Sequence, residues 1–255
     1  MSFDPAAVDW AAALTIVAAF GLGGMVKGLT GMGMPLVAIP ILAGVFSVPD
    51  AIALMTVPVL VTNAWQLTSL RAALAGGQIR FLVPMLTAGA VGVVCGTALL
   101  VAIDDATLML TLAGLLLGYV GLRLAHPDFR IGPRAGTVAA APVGLAAGVL
   151  QGATGVSAPI GVTFIHAMRF DRDTHVFAVS AMFGLFAVTQ TTSLALAGVL
   201  SAPRLVESAF ALLPTAVAMA IGSALGRRFS RATFDRLILA LLTLSAAKMI
   251  VDAFI

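Results

Sequence analysis

The chain has 255 residues, 60% of them hydrophobic and 10% charged, where a soluble globular protein carries roughly 25% charged residues. With a mean hydropathy of +1.10, it reads as an integral membrane protein. The single Cys95 excludes an internal disulfide framework. Three histidines without metal-ligand spacing argue against zinc, no cofactor is expected, and single arginines scattered between apolar stretches do not make a nucleic-acid surface despite the net charge of +3.

Residues 1–10 carry Asp4 and Asp9 but no Lys or Arg, so no cleavable signal is expected. Apolar stretches then follow at 10–30, 34–46, 50–70, 79–102, 106–125, 136–153, 157–169, 174–200, 205–226 and 232–253. They are predicted to be helices, because unpaired strands leave their backbone unsatisfied in lipid and no alternating barrel pattern is present. Most reach the length of about 20 residues that a crossing needs. The stretches at 34–46 and 157–169 do not, and are predicted to be the short arms of broken or re-entrant hairpins.

The segment GMVKGLTGMGMP (Gly24 to Pro35) aligns without a gap on GVLQGATGVSAP (Gly148 to Pro159), an offset of 124 residues that also pairs Gln66 with Gln190. The chain therefore reads as a duplicated unit: a first repeat over 1–126 (hairpin 10–46 plus three transmembrane helices), a cytoplasmic linker over 127–135, and a second repeat over 136–255 (hairpin 136–169 plus three transmembrane helices). If both hairpins return to the side they enter from, eleven of the twelve arginines gather on one face and only Arg204 lies on the other. If each hairpin is one crossing, the split is six against six. The positive-inside rule selects the first arrangement. An odd number of crossings then inverts the second repeat, giving an all-α polytopic membrane protein of two inverted repeats, the plan of many secondary transporters.

The two motifs, KGLTGMGMPLVAIPIL from Lys27 and GVLQGATGVSAPIGVTFIHAM from Gly148, resemble the repeated signature of the TauE/SafE family, the sulfite exporters. The duplication, length and segment number fit over essentially the whole chain. The resemblance implies a transporter of small sulfur-containing anions, sulfite or organosulfonates, in a bacterial inner membrane. Lys27 and Gln151 are departures, standing where other members often carry a small residue.

In each motif the Thr-Gly pair is predicted to form the hairpin tip, with proline at the first turn of the return helix. Two helix N-termini, spanning Gly28 to Pro35 and Gly152 to Pro159, are expected to converge near mid-bilayer and offer N–H groups to an anion. The candidate binding residues are Lys27 for charge, Gly28, Gly31, Gly152 and Gly155 for backbone approach, and Thr30, Gln151, Thr154 and Ser157 for orientation. Asn63, Gln66 and Gln190 lie on the second long helix of each repeat. The alternatives are glycines that serve only close helix packing, a lysine that reaches to the interface, and amides that bond between helices. Lys248 reads as a snorkelling or packing residue, and His166 and His175, the latter in a loop, as interfacial, with proton coupling by a titrating histidine as the alternative. Asp50, Asp104, Asp105, Glu207, Asp235 and Asp252 all fall near segment ends, so a buried carboxylate for sodium binding or for a proton relay is missing; of the two coupling ions a proton is expected over sodium. The rivals to sulfonate transport are transport of another small organic anion such as a carboxylate, and a non-transporting membrane assembly subunit. An intramembrane enzyme finds no nucleophile or metal motif.

Overall fold

The computed structural model describes residues 10–76, 79–125, 130–225 and 231–254. Asp4, Asp9, His126, residues 127–129 of the linker, Arg227 and Arg228 lie outside the described residues. Among those described, ten α-helices run in chain order and no strand is found. They are α1 (Trp10–Thr30), α2 (Met34–Leu42), α3 (Val48–Ser69), α4 (Leu82–Ala102), α5 (Asp105–Ala125), α6 (Pro133–Thr154), α7 (Gly161–Ala167), α8 (Arg172–Leu196), α9 (Ala202–Leu225) and α10 (Arg231–Asp252). By length and composition α1, α3, α4, α5, α6, α8 and α9 can each cross a bilayer. The chain is a polytopic all-α membrane protein.

Polar caps start the long helices. The Ser47 hydroxyl accepts the Asp50 N–H at 3.2 Å ahead of α3. Asp171 accepts the Asp173 and Thr174 N–H groups at 3.1 and 3.0 Å ahead of α8. Asp104 accepts the Thr107 N–H at 2.9 Å ahead of α5. The backbone and side chain of Thr107, and the side chain and backbone of Thr174, hold the Asp104 and Asp171 carboxyls below their ordinary range. His175 lies in the first turn of α8, not in a loop, because the Asp171 cap starts the helix ahead of it.

Both hairpins turn back on themselves. Helix α1 ends at Thr30, where Gly31 and then Gly33 take φ of +83° and +86°. Helix α2 runs back along α1, its Met34 and Ala38 lying against Gly23. Helix α6 ends before Gly155, at φ +71°, and α7 returns along it. Gly161 meets Ala147, and the Ile131 N–H donates to the Ala167 carbonyl at 2.9 Å, so the second hairpin finishes level with its own start.

The main contacts between the two halves pair α4 with α6 and α1 with α9, then α3 with α9 and α4 with α8, α3 with α8, and α5 with α10. Exchanging α1–α5 for α6–α10 maps this set onto itself. Small residues let the first two pairs approach closely. Gly89 faces Gly148 and Gly96 faces Gly152, so α4 and α6 run parallel; Gly24 faces Thr215 and Gly28 faces Met219, so α1 and α9 run parallel. Helices α3 and α8 are antiparallel, with Gln66 beside Ser180 and Asn63 beside Gly184. One end of the bundle gathers Gly44, Asp50, Asp105, Arg204 and Lys248, linked by Arg204 to Asp50 at 2.8 Å, the Val48 N–H to Asp105 at 2.7 Å, and Lys248 to the Gly44 carbonyl at 3.2 Å. The other gathers Phe81, Ile131 and Phe170, with Phe81 stacked on Phe170 at 5.5 Å.

Pro58 interrupts α3 and withholds an N–H from the Leu54 carbonyl. The Ser208 hydroxyl of α9 repairs the gap, donating to Leu54 O at 2.7 Å and accepting the Val57 N–H at 2.9 Å.

Candidate functional site

At the first hairpin, Lys27 lies on the last turn of α1 and is 3% exposed. Its Nζ donates to Asn63 Oδ1 of α3 at 2.7 Å, and the Asn63 amide donates to the Val59 carbonyl at 2.8 Å, which fixes which face of the amide the lysine meets. One turn further along α3, Gln66 donates to the Gly31 carbonyl at 2.9 Å and accepts the Ser180 hydroxyl at 3.0 Å. That amide ties the hairpin tip to α8.

At the second hairpin the equivalent positions form a neutral network. Gln151 donates to Gln190 Oε1 at 2.9 Å and accepts the Ser157 hydroxyl at 2.8 Å, while Gln190 donates back to the Gln151 carbonyl at 2.8 Å. Both buried amide oxygens have a donor inside the network and the Ser157 hydroxyl has an acceptor, as a stable polar cluster in an apolar bundle requires.

Thr30 and Thr154 serve the turns. Thr30 Oγ1 accepts the Met32 N–H at 3.2 Å and lies 2.8 Å from the Val26 carbonyl; Thr154 accepts the Val156 N–H at 3.3 Å and lies 2.8 Å from the Leu150 carbonyl. Gly28 and Gly152 sit where a Cβ would lie 2.1 Å from Met219 O and 2.2 Å from Val93 O, so close helix approach requires glycine there.

Two expectations need correction. The hairpin tips do not meet end to end but pass each other: Gly31 is level with Gln66, whereas Gly155 packs against Ile39 of α2 and against Ile52, roughly 21 Å along α3 from Gln66 at 1.5 Å per residue, so the second tip lies beside Pro35 at the start of α2 and not beside Gly31. Each tip passes the middle of α3 because the long arms, α1 and α6, have 21 and 22 residues, nearly the 22 of α3 itself. Nor does each tip present a helix N-terminus. Pro35 lies in the first turn of α2, as expected. Pro159, however, precedes α7, a helix of seven residues, and the Ile160 and Gly161 N–H groups are taken by the Ser157 carbonyl at 3.2 and 2.8 Å.

Two cavities flank the tips. One of about 190 Å³ has Lys27, Gly28, Gly31 and Gln66 on its inner wall, Val176 and Met219 as apolar walls, and Trp65, Ser69, Arg172 and Asp173 at an exposed mouth. The other, of about 20 Å³ between Pro35, Thr56, Gln151, Gly155 and Gln190, is no larger than one or two waters need. The twelve candidate residues thus separate into a charged group beside the large cavity and a neutral group beside the small one. Ser180, Trp65 and Arg172 were not among the candidates. Ser180 had a signal: the offset of 124 pairs it with Thr56, another hydroxyl facing the opposite tip. Lys248 is exposed and pairs with Asp252 and the Gly44 carbonyl, which places it at the bundle end.

Fold and site together define a polytopic membrane protein in which two helical hairpins bring polar tips into an apolar bundle. The sequence profile of the Sulfite exporter TauE/SafE family matches residues 16–249, and the chain belongs to that family. The family is one of membrane transporters for anions of the sulfite type, so transport is the class of activity. Neither the curated proteins nor the solved structures contain a match.

Proposed function

We propose that the chain carries a small sulfur-containing anion, sulfite or an organosulfonate, across the bacterial inner membrane by alternating access between two inverted repeats. The observation that carries this reading is Lys27, whose buried amine has the neutral Asn63 as its hydrogen-bond partner and lines a cavity of about 190 Å³. A charge at that depth is costly, and an anion in the cavity supplies what the surrounding residues do not. Gln66 and the Gly31 turn shape the inner wall, and Arg172 and Asp173 stand together at the mouth, which leaves Lys27 as the cationic group of the interior. A membrane assembly subunit would need helix packing alone and gives no reason for the buried amine.

The packing supports the inverted repeats. The dominant contacts exchange between halves, and the equivalent helices α3 and α8 are antiparallel, as an axis in the membrane plane demands. The size difference between the cavities supports a state open toward Arg172 and closed toward Arg204.

Sulfite or ethanesulfonate should raise the melting temperature of the purified chain, since a ligand of the folded state stabilises it by mass action, while ethanol should not. Lys27→Gln keeps a hydrogen-bonding group of the kind present at Gln151 but loses the charge. It should fold, and anion affinity should fall at least about tenfold, about 1.4 kcal/mol. Unchanged affinity in a folded Lys27→Gln protein would remove Lys27 from the site.

A further inference from the structure

We propose that Lys27 is also the proton carrier of the transport cycle, its amine gaining a proton as an anion occupies the cavity and losing it when the anion leaves. This deepens the anion-site reading above and rests on it. The geometry around the amine is what points to it. Asn63 Oδ1 accepts from Nζ at 2.7 Å, and a neutral amide oxygen can accept from the amine in either protonation state without supplying a counter-charge. A carboxylate in that place would hold the proton permanently. The carboxylates of Asp50 and Glu207 pair with Arg204 and that of Asp252 with Lys248, at the far end of the bundle from Lys27.

The groups facing the cavity from each packed element complete the case. Helix α3 contributes Trp65, Gln66 and Ser69, and α9 contributes Met219 and Ser223, none of which titrates near neutral pH. Helix α8 contributes Val176 and, at the exposed mouth, Arg172 and Asp173. Lys27 is therefore the one deeply buried titratable side chain on this cavity among the described residues. Without an anion the ammonium sits in an apolar surround and is disfavoured; with one, it is neutralised. Proton and anion binding are then linked, and linkage is reciprocal. The cavity mouth lets water exchange protons with the amine, and the second hairpin, with an amide at Gln151, adds no second proton. One proton accompanies each anion, so a monoanion moves without net charge.

Calorimetric titration of the full purified chain with ethanesulfonate, a monoanion at every pH used, tests this in buffers of different ionisation enthalpy. About one proton should be taken up per anion at alkaline pH, and affinity should fall with rising pH toward about tenfold per unit. Lys27→Arg keeps its charge at every pH. It should bind without proton uptake, and in proteoliposomes an imposed pH gradient should no longer drive anion accumulation. Anion binding by the unaltered chain with no proton uptake over the whole range would overturn the proton role and leave the anion site standing, and needs no variant to fold. Accumulation driven by the pH gradient in Lys27→Arg would overturn it as well. If sulfite, ethanesulfonate and acetate all fail to bind the unaltered chain, the anion site falls and the proton role with it.

Discussion

A lysine at the end of a transmembrane helix ordinarily extends its amine to the headgroups and costs little. Lys27 does not, because α2 and α9 cover α1 on two sides and Asn63 holds Nζ from a third. The second repeat shows what the same backbone does without charge: Gln151, Gln190 and Ser157 satisfy one another and enclose a space of about 20 Å³. On the anion-site proposal, Asn63 is the residue that keeps Lys27 open to an external anion and out of a closed ion pair, and the offset of 124 places Ala187 at its counterpart. Asn63→Asp has nearly the same shape and should fold normally, but its carboxylate would neutralise Lys27 from within. Anion affinity should fall at least about tenfold. A thermal-shift titration checks this, and wild-type affinity in Asn63→Asp would show that the charge on Lys27 does not anchor the anion.

At the scale of the element, the tightest packing is between helices of opposite halves. A Cβ added at Gly148 would lie 2.0 Å from the Gly89 carbonyl oxygen, and backbone on both sides cannot give way. Gly114, on α5, has nothing within 4 Å. Gly148→Ala should force α4 and α6 apart and destabilise the detergent-solubilised protein by about 1–3 kcal/mol or more, while Gly114→Ala should be near neutral; thermal unfolding compares the two. Equal melting temperatures would mean that the α4–α6 seam is looser than its geometry. These elements are legible in the sequence. The ten apolar stretches became ten helices, and the breaks at Thr30-Gly31 and Thr154-Gly155 fell where glycine at positive φ ends a helix. What the sequence hid was depth. Hydropathy places the breaks along the chain but carries no information on where α1 and α6 stand against α3, so convergence of the tips was expected where they pass each other. The amide partners were hidden too: Gln66 and Gln190 were visible as polar residues in apolar helices, yet their bonding to Gly31 and Gln151 depends on packing between helices far apart in sequence.

For the whole molecule, sidedness follows from which chain ends meet. Gly44, Asp50, Asp105 and Arg204 gather at one end, so α2 ends and α3, α5 and α9 begin there. Ile131 meets Ala167 at the other, where α7 ends beside the start of α6. A single crossing by each hairpin would make α3 and α8 parallel, whereas Gln66 beside Ser180 and Asn63 beside Gly184 make them antiparallel. We propose from the arginine bias that the Ala167 end faces the cytoplasm. Arg71, Arg80, Arg130, Arg134, Arg169 and Arg172 flank the ends of helices on the Ala167 side, while Arg204 is held at the opposite end by Asp50, Glu207 and the face of Phe46 at 5.3 Å. With Cys95 replaced by alanine, single cysteines at Asp104 and Ser201 should react with an impermeant maleimide added outside intact cells. Cysteines at Arg130 and Arg172 should react only after the membrane is opened. Position 172 carries the most weight, because it lies at the mouth of the cavity that holds Lys27: its labelling from outside, together with Asp104, would put the cavity mouth and the Arg204 end on one side of the membrane and break the inverted arrangement.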